Sequence, residues 1–156
     1  MKGNLAEMMA RHAKPGRLDW IGLRPARREA VISQSSVFID ENGLVGDHAS
    51  GGKRAVTLIQ QEHLQVIASL AGLERVQPGQ LRRNLMVSGL NLYALRKTLI
   101  KVGQAVLQIE GPCPPCSRME QDLGPGGYNA MRGHGGWYAS VVAPRNVSLG
   151  DPMTPA

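Results

Sequence analysis

The sequence predicts a mainly β protein, a β-barrel-like fold with one main helix and short helical segments. Three observations carry this expectation. Seven or eight short apolar or alternating stretches are separated by turn signals, the pattern of a barrel or sandwich. Nineteen glycines and ten prolines in 156 residues favour short elements joined by tight turns over a helical bundle. Only one stretch has a convincing helical period, so the regular βα alternation of a doubly wound sheet is missing.

Residues 1–16 are weakly patterned, end in Lys14-Pro15-Gly16, and are expected to form a loose helix or frayed arm ahead of a single domain over 17–156. Trp20–Leu23 and Ala30–Ile39 read as strands, the second closed by the turn Asp40-Glu41-Asn42-Gly43. Gly43-Leu44-Val45-Gly46-Asp47-His48 then leads through Ser50-Gly51-Gly52-Lys53 into a strand over Arg54–Ile59. Beyond Gln60 the period changes: Leu64, Ile67, Ala68 and Ala71 share one helical face, and Gly72 stands where a helix over about 61–71 would end. Asn84–Val87, Thr98–Val102, Ala105–Ile109, Trp137–Ala143 and Asn146–Leu149 complete the strands.

A chain of this length buries roughly 70% of its unfolded surface as one domain. Its hydrophobic content of 42% and charged content of 19% are those of a globular protein, as is its mean hydropathy of −0.19. No segment approaches the ~20 apolar residues of a membrane span, and the N-terminus has no apolar core of signal-peptide length. A cytoplasmic location is therefore expected, with both thiols reduced. The net charge of +6 suits a small anionic partner. The cations come in pairs (Arg27-Arg28, Lys53-Arg54, Arg82-Arg83, Arg96-Lys97), and two Trp, three Tyr and one Phe offer little for base stacking, so no nucleic-acid partner is expected.

The densest chemical signal is Gly111-Pro112-Cys113-Pro114-Pro115-Cys116-Ser117-Arg118, which holds both cysteines at a strand end. Prolines fix φ and remove backbone donors, so the segment is a stiff loop and not sheet or helix interior. The Cys-x-x-Cys spacing permits a redox dithiol, although the βαβ setting of a thioredoxin-like site is absent. Zinc would need further ligands that the sequence does not supply nearby, and an inert structural pair is a third possibility. A thiolate ligand or sulfur acceptor is the fourth; it needs nearby cations, which Arg118 could provide. Six glycines between Gly124 and Gly136 form either a plain long loop or a backbone cradle near an anion, with Arg132 adding charge. Arg82-Arg83-Asn84 places two cations and an amide at a strand start, either as a solvated turn or as phosphate contacts.

In order along the chain, six motifs resemble the MOSC domain, the molybdenum cofactor sulfurase C-terminal family: Gly43–His48, Arg54–Ile59, Pro78-Gly79 with Arg83–Leu90, Val102–Ile109, Pro115-Cys116, and Val147–Asp151. The resemblance implies a MOSC-type β-barrel that binds the molybdenum cofactor (molybdopterin), with Cys116 as metal ligand and catalytic residue. Cys113 is an extra thiol with a possible dithiol or persulfide role. Arg54, Thr57, Arg82, Asn84, Arg118 and Arg132 are the implied cofactor contacts. Arg82 and Asn84 are similar to the Arg-x-Asn of the family's amidoxime-reducing members, from which Arg83 departs at the middle position. The chain shows no pyridoxal-phosphate domain, so a separate electron-donor or sulfur-donor protein is expected. The implied function is part of a reductase system for N-hydroxylated or N-oxide compounds. The alternatives are a persulfide carrier for metal–sulfur cofactor assembly and a metal-free dithiol oxidoreductase.

Overall fold

The structure is a computed structural model that describes residues 3–49 and 51–156; Met1 and Lys2 of the expected arm, and Ser50, lie outside the described residues. The arm contains α1 (Leu5–Ala10), started by Asn4, whose side chain accepts from the Glu7 N–H at 2.9 Å; none of its residues is buried. The first strand, β1 (Gly16–Leu23), is followed by β2 (Ile32–Gln34), β3 (Ser36–Asp40), β4 (Gly43–Leu44) and β5 (Val56–Gln60). Next come α2 (Gln61–Ala71), β6 (Leu85–Ser88), β7 (Leu99–Val102) and β8 (Ala105–Pro112). The helices α3 (Ser117–Leu123) and α4 (Gly127–Met131) precede β9 (Trp137–Ala143), β10 (Arg145–Ser148) and β11 (Pro152–Pro155).

Among the described residues, seven strands close a barrel in the order β11-β7-β8-β9-β5-β6-β1, with β1 returning to β11. β1 serves three neighbours in turn. Gly16 and Arg17 pair with β11, Arg17 to Ile21 with β6, and Ile21 to Leu23 with β2. A small sheet, β10-β3-β4, flanks the barrel. The β5–β6 pair is parallel, which requires a crossover, and α2 provides it.

Period-2 burial shapes the barrel wall. β8 alternates buried and partly exposed residues from Ala105 to Gly111, and Leu107 and Ile109 meet Leu18, Leu58 and Leu85 in the interior. A second cluster lies outside the wall, where Ile59 and Met86 meet Ile67 and Ala68 of α2, Met119 of α3 and Met131 of α4. β5 separates the two cores and is buried at every residue, the pattern of a strand covered on both faces.

The helix expected at about 61–71 spans Gln61–Ala71 and ends on Gly72 in the left-handed conformation, φ 73°. Two expectations need correction. The single strand over Ala30–Ile39 is two strands broken at Ser35, because β2 pairs with β1 and β3 pairs with β10 in the other sheet. The glycine-rich stretch is not one long loop: α4 forms inside it, because burying Ala130 and Met131 in the outer core outweighs the poor helix propensity of glycine.

Candidate functional site

β8 carries the chain to Pro112 and delivers the cysteine loop to one end of the barrel. The loop is fixed on both sides. The Cys113 N–H donates to the Gly136 carbonyl at 2.9 Å, and the Cys116 carbonyl accepts from the Met119 N–H at 3.0 Å as α3 begins. Met119 and Leu123 anchor α3 in the outer core, which holds the Cys116 backbone in place. Cys116 is exposed and Cys113 half-buried; both are free thiols. Burial pushes the Cys113 thiol up, and the charges of Arg83, Arg54 and Arg24 offset this only in part. At neutral pH Cys113 is a thiol.

Cys116 opens onto a cleft of about 1030 Å³. Six arginines among the described residues line it: Arg24, Arg27 and Arg28 after β1, Arg82 and Arg83 before β6, and Arg118 on α3. Asp122 is the one carboxylate in that lining, and it pairs with Arg118 at 3.2 Å. Desolvation lowers the Arg82 pKa, and repulsion from Arg118 and Arg24 lowers it further. Arg82 stays charged, since a guanidinium is not deprotonated in proteins. Like charges are thus held together at a cost that a bound anion would relieve.

A buried carboxylate organises one wall. Asp47 Oδ1 accepts from the Arg24 N–H at 2.7 Å, Arg24 Nε at 3.1 Å and Asn84 Nδ2 at 3.0 Å. Asp47 Oδ2 accepts from an Arg24 terminal nitrogen at 2.9 Å and the Ala49 N–H at 3.1 Å. Burial raises the Asp47 pKa, but the hydrogen bonds and charge of Arg24, with the Ala49 N–H, outweigh it and hold the carboxyl below its ordinary range. Asn84 is fully buried. Its Oδ1 accepts from the N–H and hydroxyl of Thr57, and its Nδ2 also donates to the Gly22 carbonyl at 3.2 Å. Thr57 and Asn84 therefore lock β5, β6 and β1 together under the site, and neither is among the cleft-lining residues.

The other arginines have distinct surroundings. The Arg82 guanidinium donates to the carbonyls of Glu29 and Ala26, tying the turn that carries Arg27 and Arg28. Arg83 is buried and donates to Gly135 at 2.7 Å and Leu81 at 2.9 Å, joining the strand start to the glycine-rich segment beside Cys113. Arg54 lies over the Tyr138 ring at 4.8 Å and is not in the lining. Arg132 is exposed at the C-terminal end of α4, donates to the Asn129 side chain at 3.4 Å, and is also outside the cleft lining. Of the residues singled out by sequence, the cleft brings together Cys116, Arg82, Arg83 and Arg118.

Sequence reasoning missed Arg24 and His48 as site residues. A lone arginine before Pro25 has no local signal, since its partner Asp47 lies 23 residues on. His48 stood within the Gly-Asp-His motif without a role. Its Nδ1 donates to the Arg24 carbonyl at 2.8 Å, since a carbonyl can only accept, and the residue is part of the cleft lining.

Among the described residues no group of three or more His, Cys, Asp and Glu side chains could hold a metal ion, and no helix is long and apolar enough to cross a membrane. The MOSC domain family model matches residues 45–154, and the chain belongs to that family, which is associated with the molybdenum cofactor. No curated protein matches the sequence significantly. Solved structures do resemble it. The YuaD protein from Bacillus subtilis superposes with a TM-score of 0.80 at 20% identity, covering 90% of this chain and 94% of that one. YiiM from Geobacillus stearothermophilus gives 0.76 at 17% identity over 91% and 75%. YiiM from Escherichia coli gives 0.70 at 24% identity over 90% and 69%. These likenesses establish the fold.

Proposed function

We propose that this MOSC-domain protein binds the molybdenum cofactor in the arginine cleft, with Cys116 as the thiolate ligand. In this reading it works in a reductase system for N-hydroxylated or N-oxide compounds, supplied with electrons by a separate protein. The observation that carries the reading is the position of Cys116, an accessible soft donor on a cleft lined by six arginines. The donor set fits the group. One thiolate cannot cage a metal alone, so the metal must arrive with ligands of its own, and sulfur suits such a metal. A phosphate-bearing pterin supplies the negative charge that the crowded guanidiniums lack.

When bound, the cofactor supplies two-electron redox chemistry at the metal. The protein's residues do the rest. Arg82 and Arg118 bind and orient the anionic end. Asp47 positions Arg24 through three of its contacts. His48, tied through Nδ1 to the Arg24 carbonyl, adds a ring nitrogen to the cleft lining that can hydrogen-bond a bound substrate. Reduction of an N-hydroxylated compound takes two electrons and two protons, and releases the amine and water.

The exposure of Cys116 also favours a second reading, a persulfide carrier in cofactor assembly. Expression in a cofactor-competent host tests both. Bound molybdenum and pterin, with turnover of a hydroxylamine compound by a supplied electron donor, support the reductase. Bound cofactor without turnover, or persulfide on Cys116, supports the carrier. Absence of metal, pterin and persulfide contradicts both.

A further inference from the structure

The cleft holds more positive charge than one phosphoryl group needs. Six arginines face Asp122 in the lining and Asp47 behind it. Arg24 is spent on Asp47 and Arg83 on two carbonyls, while Arg118 meets Asp122 through Nε alone and keeps its terminal nitrogens for the subsite beside Cys116. Arg27 and Arg28 are different: among the described residues neither has an acidic partner within salt-bridge distance. They form the centre of a tight turn closed by the Glu29 N–H on the Ala26 carbonyl at 3.3 Å. Arg28 adopts φ 70°, a left-handed conformation that side chains with a Cβ avoid unless the surroundings impose it. Those surroundings come from across the cleft. Arg82 donates to the carbonyls at both ends of the turn, Ala26 and Glu29, more than fifty residues away in sequence. The turn is thus clamped with two guanidiniums that have no acidic partner in the cleft lining, and its backbone needs no reordering when an anion binds.

We propose that the Arg27-Arg28 turn is a second phosphoryl subsite, separate from the one beside Cys116. The cleft then accepts two phosphoryl groups, either joined in one pyrophosphate-linked ligand or carried by the cofactor and a phosphorylated substrate. The proposal rests on the cofactor reading only for the occupant of the first subsite.

Calorimetry on the full chain, produced in a host without the cofactor pathway, tests it with inorganic phosphate, inorganic pyrophosphate and adenosine monophosphate. Pyrophosphate should bind at least tenfold tighter than phosphate. Arg27→Ala/Arg28→Ala should remove that advantage and leave phosphate affinity within twofold. Lys53→Ala/Arg145→Ala removes the same charge elsewhere and should change neither. Pyrophosphate bound once per chain indicates the joined ligand. Adenosine monophosphate that displaces one of two phosphates bound per chain, and fails to do so in the Arg27/Arg28 variant, indicates the separate one. Pyrophosphate no tighter than phosphate, an advantage that survives the Arg27/Arg28 substitutions, or equal loss in the Lys53/Arg145 control overturns the proposal. Molybdenum content of protein from a cofactor-competent host is scored independently, so the first reading can fail while this one stands.

Discussion

At the scale of single residues, the two thiols are three positions apart and live in different surroundings. Cys113 is half-buried with its pKa pushed up, and Cys116 is exposed at the cleft. Only a thiolate is a good nucleophile, so iodoacetamide at neutral pH should label Cys116 well before Cys113, as read by peptide mass mapping. Equal labelling would remove the physical basis for giving them different roles. Asp47 gives a second prediction. Its depressed folded pKa means that its contribution to stability is present above its ordinary value and lost as pH falls through the folded value. Asp47→Asn leaves Arg24 without its counter-charge and should cost about 3 kcal/mol at neutral pH, as breaking a buried pair does. The gap in melting temperature between wild type and variant should begin to narrow below about pH 4, where the unfolded chain takes up the proton first, and should close once pH has fallen through the lower folded value. A constant gap would place the role of Asp47 elsewhere. The sequence marks Thr57 and Asn84 as important but not their use, because a buried amide bonded on all sides and a cofactor-facing amide look alike in one dimension.

At the scale of elements, what was legible depended on how local the cause is. α2 followed from Leu64, Ile67, Ala68, Ala71 and the stop at Gly72, all within one helix. The break at Ser35 and the helix inside the glycine-rich stretch depend on partners far along the chain, namely β1, β10 and the outer core. Gly136 shows such a dependence at one residue. Its φ is 90°, and a methyl group on it would collide with the Leu58 carbonyl of β5. Its own carbonyl receives the Cys113 N–H. Gly136→Ala combines left-handed strain with backbone overlap and should cost about 2–4 kcal/mol. It should also shift the cysteine loop, so protection of Cys113 from alkylation should fall together with the melting temperature. Gly133→Ala is the comparison, since its φ is 81° but open space surrounds it; it should lose stability without exposing Cys113. Exposure in both variants, or in neither, would separate Gly136 from the loop's placement.

At the scale of the whole molecule, the closed barrel is a rigid frame that gathers the ends of distant segments at one mouth. The loop after β1, the start of β6 and the chain beyond β8 contribute arginines and a thiol from positions 24 to 118. Sequence order showed the motifs; only barrel closure shows that Arg24, Arg82 and Arg118 crowd one cleft while Arg54 and Arg132 stand outside it. The account's central claim is that Cys116 holds a molybdenum-bearing anion there. Its most direct test is the molybdenum content, by elemental mass spectrometry, of wild type, Cys116→Ser and Cys113→Ser purified from a cofactor-competent host. Serine offers a harder, far less acidic donor than cysteine. The account predicts molybdenum in wild type, most of it kept by Cys113→Ser and nearly all lost by Cys116→Ser. Molybdenum retained by Cys116→Ser, or lost equally from both variants, would contradict it.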